Sequence, residues 1–73
     1  MAGARVTNCI RTLRFLSGEM TQSELAERIG VTRQTIAAIE QGRSSPSLEA
    51  AFRIAQVFEK PLDQVFGWDG GAI

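Results

Sequence analysis

The segment from Gln22 to Gln41 constrains this chain more than any other, because it packs two short helix patterns around a three-residue connection, Gly30-Val31-Thr32. Thr21-Gln22-Ser23-Glu24 is a capping box, in which a hydroxyl and a carboxylate each satisfy a free N–H at a helix start. Leu25, Ala26 and Ile29 share one face of the helix that follows, about 22–29. Gly30 ends it, since glycine takes a positive φ without a Cβ penalty. Thr32 caps the next helix, about 33–41, which turns Ile36 and Ile39 inward and closes at Gly42. So brief a connection does not let the two helices run antiparallel, and they must cross steeply, as in a helix-turn-helix. Ala26 then faces the crossing point, where a larger side chain would push the helices apart. Leu25, Ile29, Val31, Ile36 and Ile39 form the joint core.

The remaining patterns are also helical. Ile10, Leu13 and Leu16, with Val6 one turn earlier, predict a first helix from about Thr7 to Ser17, with Gly18 at the left-handed cap. Ser47 caps a fourth helix with Leu48, Ala51, Ile54, Ala55 and Phe58 inward, after the loop Arg43-Ser44-Ser45-Pro46. Pro61 suits the first turn of a short fifth helix carrying Leu62, Val65 and Phe66. No stretch alternates with period two, so strands are not expected. The fold class expected is all-α, a compact five-helix domain. It divides into an N-terminal arm (1–6), a helix-turn-helix domain (7–66) and a Gly-rich C-terminal tail (67–73).

Composition narrows the function. Among 73 residues there is no histidine and no tyrosine, which removes the commonest general base and metal ligand and every Cys–His or Ser–His pair. An enzyme is not expected, nor is a metal or other cofactor. The single cysteine, Cys9, excludes an internal disulfide, suits a reducing compartment and reads as a small half-buried residue. No apolar run approaches the roughly 20 residues of a membrane span, and Met1-Ala2-Gly3-Ala4-Arg5 carries no apolar leader. The expected location is therefore the cytoplasm. Eight basic residues balance eight acidic ones, yet seven of the bases are Arg. Residues 1–46 hold six Arg against four Glu, and residues 47–73 hold Arg53 and Lys60 against four acids. That asymmetry is slight; its direction suits one end facing a polyanion, and ordinary surface solvation is the bland alternative.

The run Thr21-Gln22-Ser23-Glu24-Leu25-Ala26-Glu27-Arg28-Ile29-Gly30-Val31-Thr32-Arg33-Gln34-Thr35-Ile36, continued by Ile39-Glu40-Gln41-Gly42-Arg43, resembles the Cro-like, or xenobiotic-response-element, helix-turn-helix family. Ser45-Pro46-Ser47-Leu48 and Leu62-Asp63-Gln64-Val65-Phe66 match its pattern too, so the resemblance covers about residues 7–66. It implies a five-helix, lambda-repressor-like, DNA-binding transcription regulator whose third helix enters the major groove, usually as a dimer on a near-palindromic operator. The connection Ser17-Gly18-Glu19-Met20 is one residue longer than the family's commonest form.

Candidate roles follow. Arg33 and Gln34 open the third helix away from its apolar face; Arg suits guanine O6/N7 and Gln suits adenine N6/N7. A phosphate is the alternative for Arg33. Thr35 reaches a phosphate or a thymine methyl, and Ala38 lies where relatives often place longer base readers. Gln22, at the start of the second helix, is used by the family for a phosphate, as its place near free N–H groups suits. Thr32, Gln41, Arg43, Ser44 and Ser45 are the further phosphate candidates. Arg14 and Glu40 match an ion pair that the family holds between its first and third helices. Phe15 and Phe52 are expected in a satellite cluster. Leu62, Val65, Phe66 and Trp68 are candidate dimer contacts, since Phe66 and Trp68 would form a conspicuous apolar patch on so small a protein. The reading is a sequence-specific double-stranded DNA-binding regulator, a homodimeric repressor. The alternative is an antitoxin or interaction module that binds a protein partner through its C-terminal segment.

Overall fold

The computed structural model describes residues 5–70, so most of the arm and the last three residues of the tail lie outside the described residues. The chain runs β1 (Val6–Asn8), α1 (Ile10–Leu16), α2 (Gln22–Ile29), α3 (Arg33–Glu40), α4 (Leu48–Val57), a single 3₁₀ turn (Leu62–Gln64) and β2 (Phe66–Trp68). Local chemistry sets the helix boundaries. The Thr21 hydroxyl accepts from the Glu24 N–H at 3.0 Å while the Glu24 carboxylate accepts from the Thr21 N–H at 2.7 Å. The Thr21 backbone N–H, and next the Thr21 hydroxyl, hold the Glu24 carboxyl below its ordinary 4.5, since hydrogen bonds donated to a carboxylate favour the ionised form. Thr32 and Ser47 cap α3 and α4 through their hydroxyls alone, accepting from the Thr35 and Ala50 N–H groups. Gly30, in the left-handed conformation at φ 79°, terminates α2.

Among the described residues, the expected all-α, five-helix architecture is corrected to four α-helices, one 3₁₀ turn and a two-stranded antiparallel ribbon. Val6 pairs with Trp68, Thr7 with Gly67 and Asn8 with Phe66. The ribbon therefore runs across both expected boundaries, joining the end of the arm to the start of the tail. α1 starts at Ile10 rather than Thr7 because the Asn8 carboxamide accepts from the Ile10 N–H at 3.1 Å and ends the strand there. After Pro61, the fifth helix lasts one 3₁₀ turn before the chain becomes extended. Gly67 allows the close pairing, for a Cβ there would lie 2.8 Å from Thr7 Oγ1.

The core gathers Ile10, Leu13, Met20, Leu25, Ala26, Ile29, Ile36, Ile39, Ile54, Ala55 and Val65, with Val31, Val57, Phe58, Leu62 and Phe66 packed against it. Ala26 is buried where α2 meets α3 and α4. Leu16 and Leu48, expected inward, are 71% and 68% exposed. Each three-residue step covers about 300° of helix, so the Ile10-Leu13-Leu16 series slides off the buried face by its third member. Leu48 is the first residue of α4, one turn ahead of buried Ala51. Phe15 and Phe52 are exposed rather than clustered, and Cys9 is exposed rather than half-buried. The loop after α1 turns on two successive left-handed residues, Gly18 (φ 78°) and Glu19 (φ 59°), and brings Met20 into the core.

α4 ends on a single left-handed residue that is not glycine. The Glu59 N–H donates to the Gln56 carbonyl and the Lys60 N–H to that of Ala55, both at 3.1 Å, with Glu59 at φ 55°. A side chain is strained in that position. Glu59→Gly should raise the unfolding free energy by about 0.5–1 kcal/mol, the released strain exceeding the added freedom of the unfolded chain. Urea denaturation checks this, and an unchanged or lower midpoint would show that Glu59 sits there without strain.

Candidate nucleic-acid interface

α3 buries Ile36 and Ile39 and turns its first two residues, Arg33 and Gln34, to solvent. Thr32 also meets the Thr35 hydroxyl at 3.1 Å, so these two candidates are partnered to each other at the helix start. Thr35, Ala37 and Ala38 are half-buried. At the far end Gln41 is the cap residue, and Gly42 (φ 76°) turns the chain so that the Arg43 N–H reaches the Ala38 carbonyl at 3.0 Å. Gln41 accepts from Arg43 Nε at 2.8 Å. Ser44 and Ser45 follow, exposed. The candidate contacts thus fall at the two ends of one short rod, with small side chains between them.

The start of α2 lies beside the start of α3. Arg33 Nη1 donates to Gln22 Oε1 at 3.2 Å, and Gln22 Nε2 donates to Glu40 Oε1 at 3.2 Å. Glu40 in turn receives a two-pronged contact from Arg14, Nε to Oε2 at 2.6 Å and Nη2 to Oε1 at 3.0 Å. The Arg14 and Glu40 side chains are only 14% and 7% exposed. Arg14 Nη1 is spent on the Met20 carbonyl at 2.7 Å. One continuous polar chain therefore joins α1, the loop after it, and the first turns of α2 and α3 to the last residue of α3.

The family model described as Helix-turn-helix matches residues 10–65, from the start of α1 to the core residue Val65. The chain is 70% identical over 48 residues to an HTH-type transcriptional regulator of Methanothermobacter thermautotrophicus, covering 64% of this chain and 70% of that protein. It is 36% identical over 56 residues to the cryptic phage CTXphi transcriptional repressor RstR of Vibrio cholerae, covering 77% of this chain and 50% of the repressor. A crystal structure of a candidate DNA-binding protein from Bacteroides fragilis shares the fold, with a TM-score of 0.72 at 24% identity over 85% of this chain and 98% of that one. The chain belongs to the xenobiotic-response-element type of helix-turn-helix family. That is a family of DNA-binding transcription regulators rather than enzymes.

Sequence reasoning passed over three residues that the helix-turn-helix fold brings to this face. Arg11 lines the same surface hollow as Gln22 and Arg33. Arg5 reaches the other end of α3, its Nη1 lying 3.8 Å from where a Gly42 Cβ would be. Asn8 donates to the Ile39 carbonyl at 2.9 Å, tying β1 to the last turn of α3. The signal for the two arginines was the acid-free run before Glu19; nothing in the sequence pointed to Asn8. Of the four candidate dimer contacts, Val65 is withdrawn, because it is 2% exposed in the core of the single chain. Leu62 and Phe66 are half-buried and Trp68 is 52% exposed. Among the described residues no group of His, Cys, Asp or Glu is placed to hold a metal, and no helix is long and apolar enough to cross a membrane.

Removing one partner of a buried ion pair strands the other charge, so Arg14→Met and Glu40→Met should each cost about 3–5 kcal/mol. The double variant should cost clearly less than the sum of the two, because neither charge then remains unpaired. Chemical denaturation without DNA measures the cycle, and additive losses would mean that the pair is not coupled.

Proposed function

We propose that this chain binds double-stranded DNA sequence-specifically and represses transcription as a homodimer on a near-palindromic operator. The observation that carries the reading is the presentation of α3: Arg33 and Gln34 stand exposed at its first turn on a helix whose opposite face is locked into the core. A helix that enters the major groove by its amino end offers those two side chains to the base edges, Arg to guanine and Gln to adenine. Thr35 contributes at a thymine methyl or a phosphate. The small side chain of Ala38 lets the rod lie close to the bases. Gln22, Thr32, Gln41, Arg43, Ser44 and Ser45 bracket the groove and take phosphates, which set register rather than sequence. So few readers favour a modest direct code supplemented by DNA shape. The similarity to RstR supports repression.

A single small interface binds weakly, whereas two copies about one helical turn apart, ~34 Å, read a palindrome. The dimer contact falls on an apolar hollow lined by Leu62, Phe66 and Trp68 with Val6, Pro46 and Leu48. Exposed Leu48 and Trp68 are apolar surface that a partner copy would cover.

Selection of bound duplexes from a random pool, at two salt concentrations, tests the DNA reading. A short consensus with strong preference at no more than about four positions per half-site is expected. In the same assay Arg43→Ala should weaken every duplex similarly and flatten the salt slope by roughly 0.9. A well-folded sample that retains no duplex even in dilute buffer would end this reading. Sedimentation should show a species of twice the chain's mass at tens of micromolar, with Trp68→Ser shifting it to the monomer. A wild-type monomer both with and without the selected duplex would remove the dimer.

A further inference from the structure

We propose that Arg5 is a further phosphate contact beside the end of α3, and that Asp69, its neighbour across the ribbon, is a built-in brake that competes with DNA for the Arg5 guanidinium. This rests on the DNA-binding reading above and adds two residues to it. The ribbon supplies the geometry. Val6 pairs with Trp68, and the Asp69 N–H donates to the Arg5 carbonyl at 2.9 Å, so Arg5 and Asp69 face each other one step beyond that pair. Successive side chains along a strand alternate in direction. Val6 and Trp68 line the apolar hollow, while Arg5 reaches a polar hollow that it shares with Glu40, Gln41 and Gly42 at the end of α3. There its Nη1 lies 3.8 Å from where a Gly42 Cβ would be.

A cation in that place stands beside Gln41, which with Arg43 takes phosphates at the end of α3 in this reading. Of the two carboxylates near it, Glu40 is already neutralised by Arg14 at 2.6 Å. Asp69 is not held in that way. Its Oδ2 lies 3.9 Å from Arg5 Nε, and the two side chains are 58% and 60% exposed. That distance is too long for a hydrogen bond, and an exposed pair of this kind holds its members weakly. A phosphate oxygen can therefore take the guanidinium from it. The carboxylate left behind still repels the phosphate, since it stands well inside the Debye length of about 10 Å at 0.1 M salt. Contacts to phosphate carry no base information, so the pair trims affinity and leaves preference to α3.

Affinities for the duplexes that wild type selects, measured at two salt concentrations, test this with Arg5→Gln, Asp69→Asn and the double variant. Asp69→Asn should tighten every duplex by about two- to fivefold in dilute buffer, with the gain shrinking as salt rises. Arg5→Gln should weaken every duplex and flatten the salt slope by roughly 0.9. Both variants should keep the wild-type base preferences. Once Arg5 is gone, adding Asp69→Asn should bring a smaller gain, because the carboxylate then has no guanidinium to compete for. Four results would overturn the proposal: no tightening by Asp69→Asn, undiminished affinity in Arg5→Gln, a loss in Arg5→Gln confined to one base pair, or an equal gain from Asp69→Asn with and without Arg5. If wild type selects no duplex, the functional reading fails, and this proposal with it. Selection by wild type with any of those four results removes the roles of Arg5 and Asp69 alone.

Discussion

The Arg14–Glu40 pair is the contact on which the arrangement of this domain depends. α2 packs closely on α3 and on α4, while α1 is not among the closely packed helix pairs. What holds α1 is the burial of Ile10 and Leu13, the Cys9 N–H donating to the Val65 carbonyl at 3.0 Å, and the two-pronged grip of Arg14 on α3. Burying two charges is costly, and a buried pair need not stabilise a fold more than well-packed apolar residues would. Its value here is geometric. A planar fork on a carboxylate fixes distance and orientation together, and the third N–H group of Arg14 used at the Met20 carbonyl sets the path of the loop into α2.

That loop shows how a long connection can still deliver a rigid motif. Gly18 and Glu19 both adopt left-handed backbone conformations, and the Met20 N–H returns to the Arg14 carbonyl at 2.9 Å. Met20 therefore enters the core with its backbone bonded on both sides to Arg14, by its N–H and by its carbonyl. The capping box of Thr21 and Glu24 then starts α2 immediately. The loop gives the core a residue, Met20, and the approach to the motif is set by the same arginine that holds the ion pair.

Helices whose ends are written in side-chain chemistry were legible in the sequence. Thr21, Thr32 and Ser47 each cap the helix expected of them, and Gly30 ends α2 as the turn requires. Apolar spacing placed Leu25, Ile29, Ile36, Ile39 and Ile54 in the core. The ribbon was not legible, because three residues are too few to display an alternation, and its partners lie at opposite ends of the chain. The ribbon is why α1 starts later than its apolar spacing predicts, why a single 3₁₀ turn stands where a fifth helix is expected, and why Val65, a candidate dimer contact, lies in the core. At the candidate site, the exposure of Arg33 and Gln34 could be read from their place off the face of Ile36 and Ile39. The polar chain through Gln22 could not, since it joins residues 11 and 18 positions apart whose meeting depends on the crossing of α2 over α3.

The position of α3 is secured by Ile36 and Ile39 on its inner face and by polar ties at both of its ends, with no apolar anchor on its outward flank. Its first turn is linked to α2 through Arg33 and Gln22, and its last residue to α1 and α2 through Glu40. Asn8 adds a bond from β1 to the Ile39 carbonyl. Between these points Ala37 and Ala38 present little side chain. A rod fastened this way can approach a partner surface closely along its middle without loosening, because nothing that holds it in place must move aside. Apolar anchors on the outward flank would have held α3 as firmly, yet they would have occupied the surface that the helix must offer. The polar ties resolve that conflict, and the ribbon contributes by delivering Asn8 to the same end of α3 that Gln22 and Arg14 hold through Glu40.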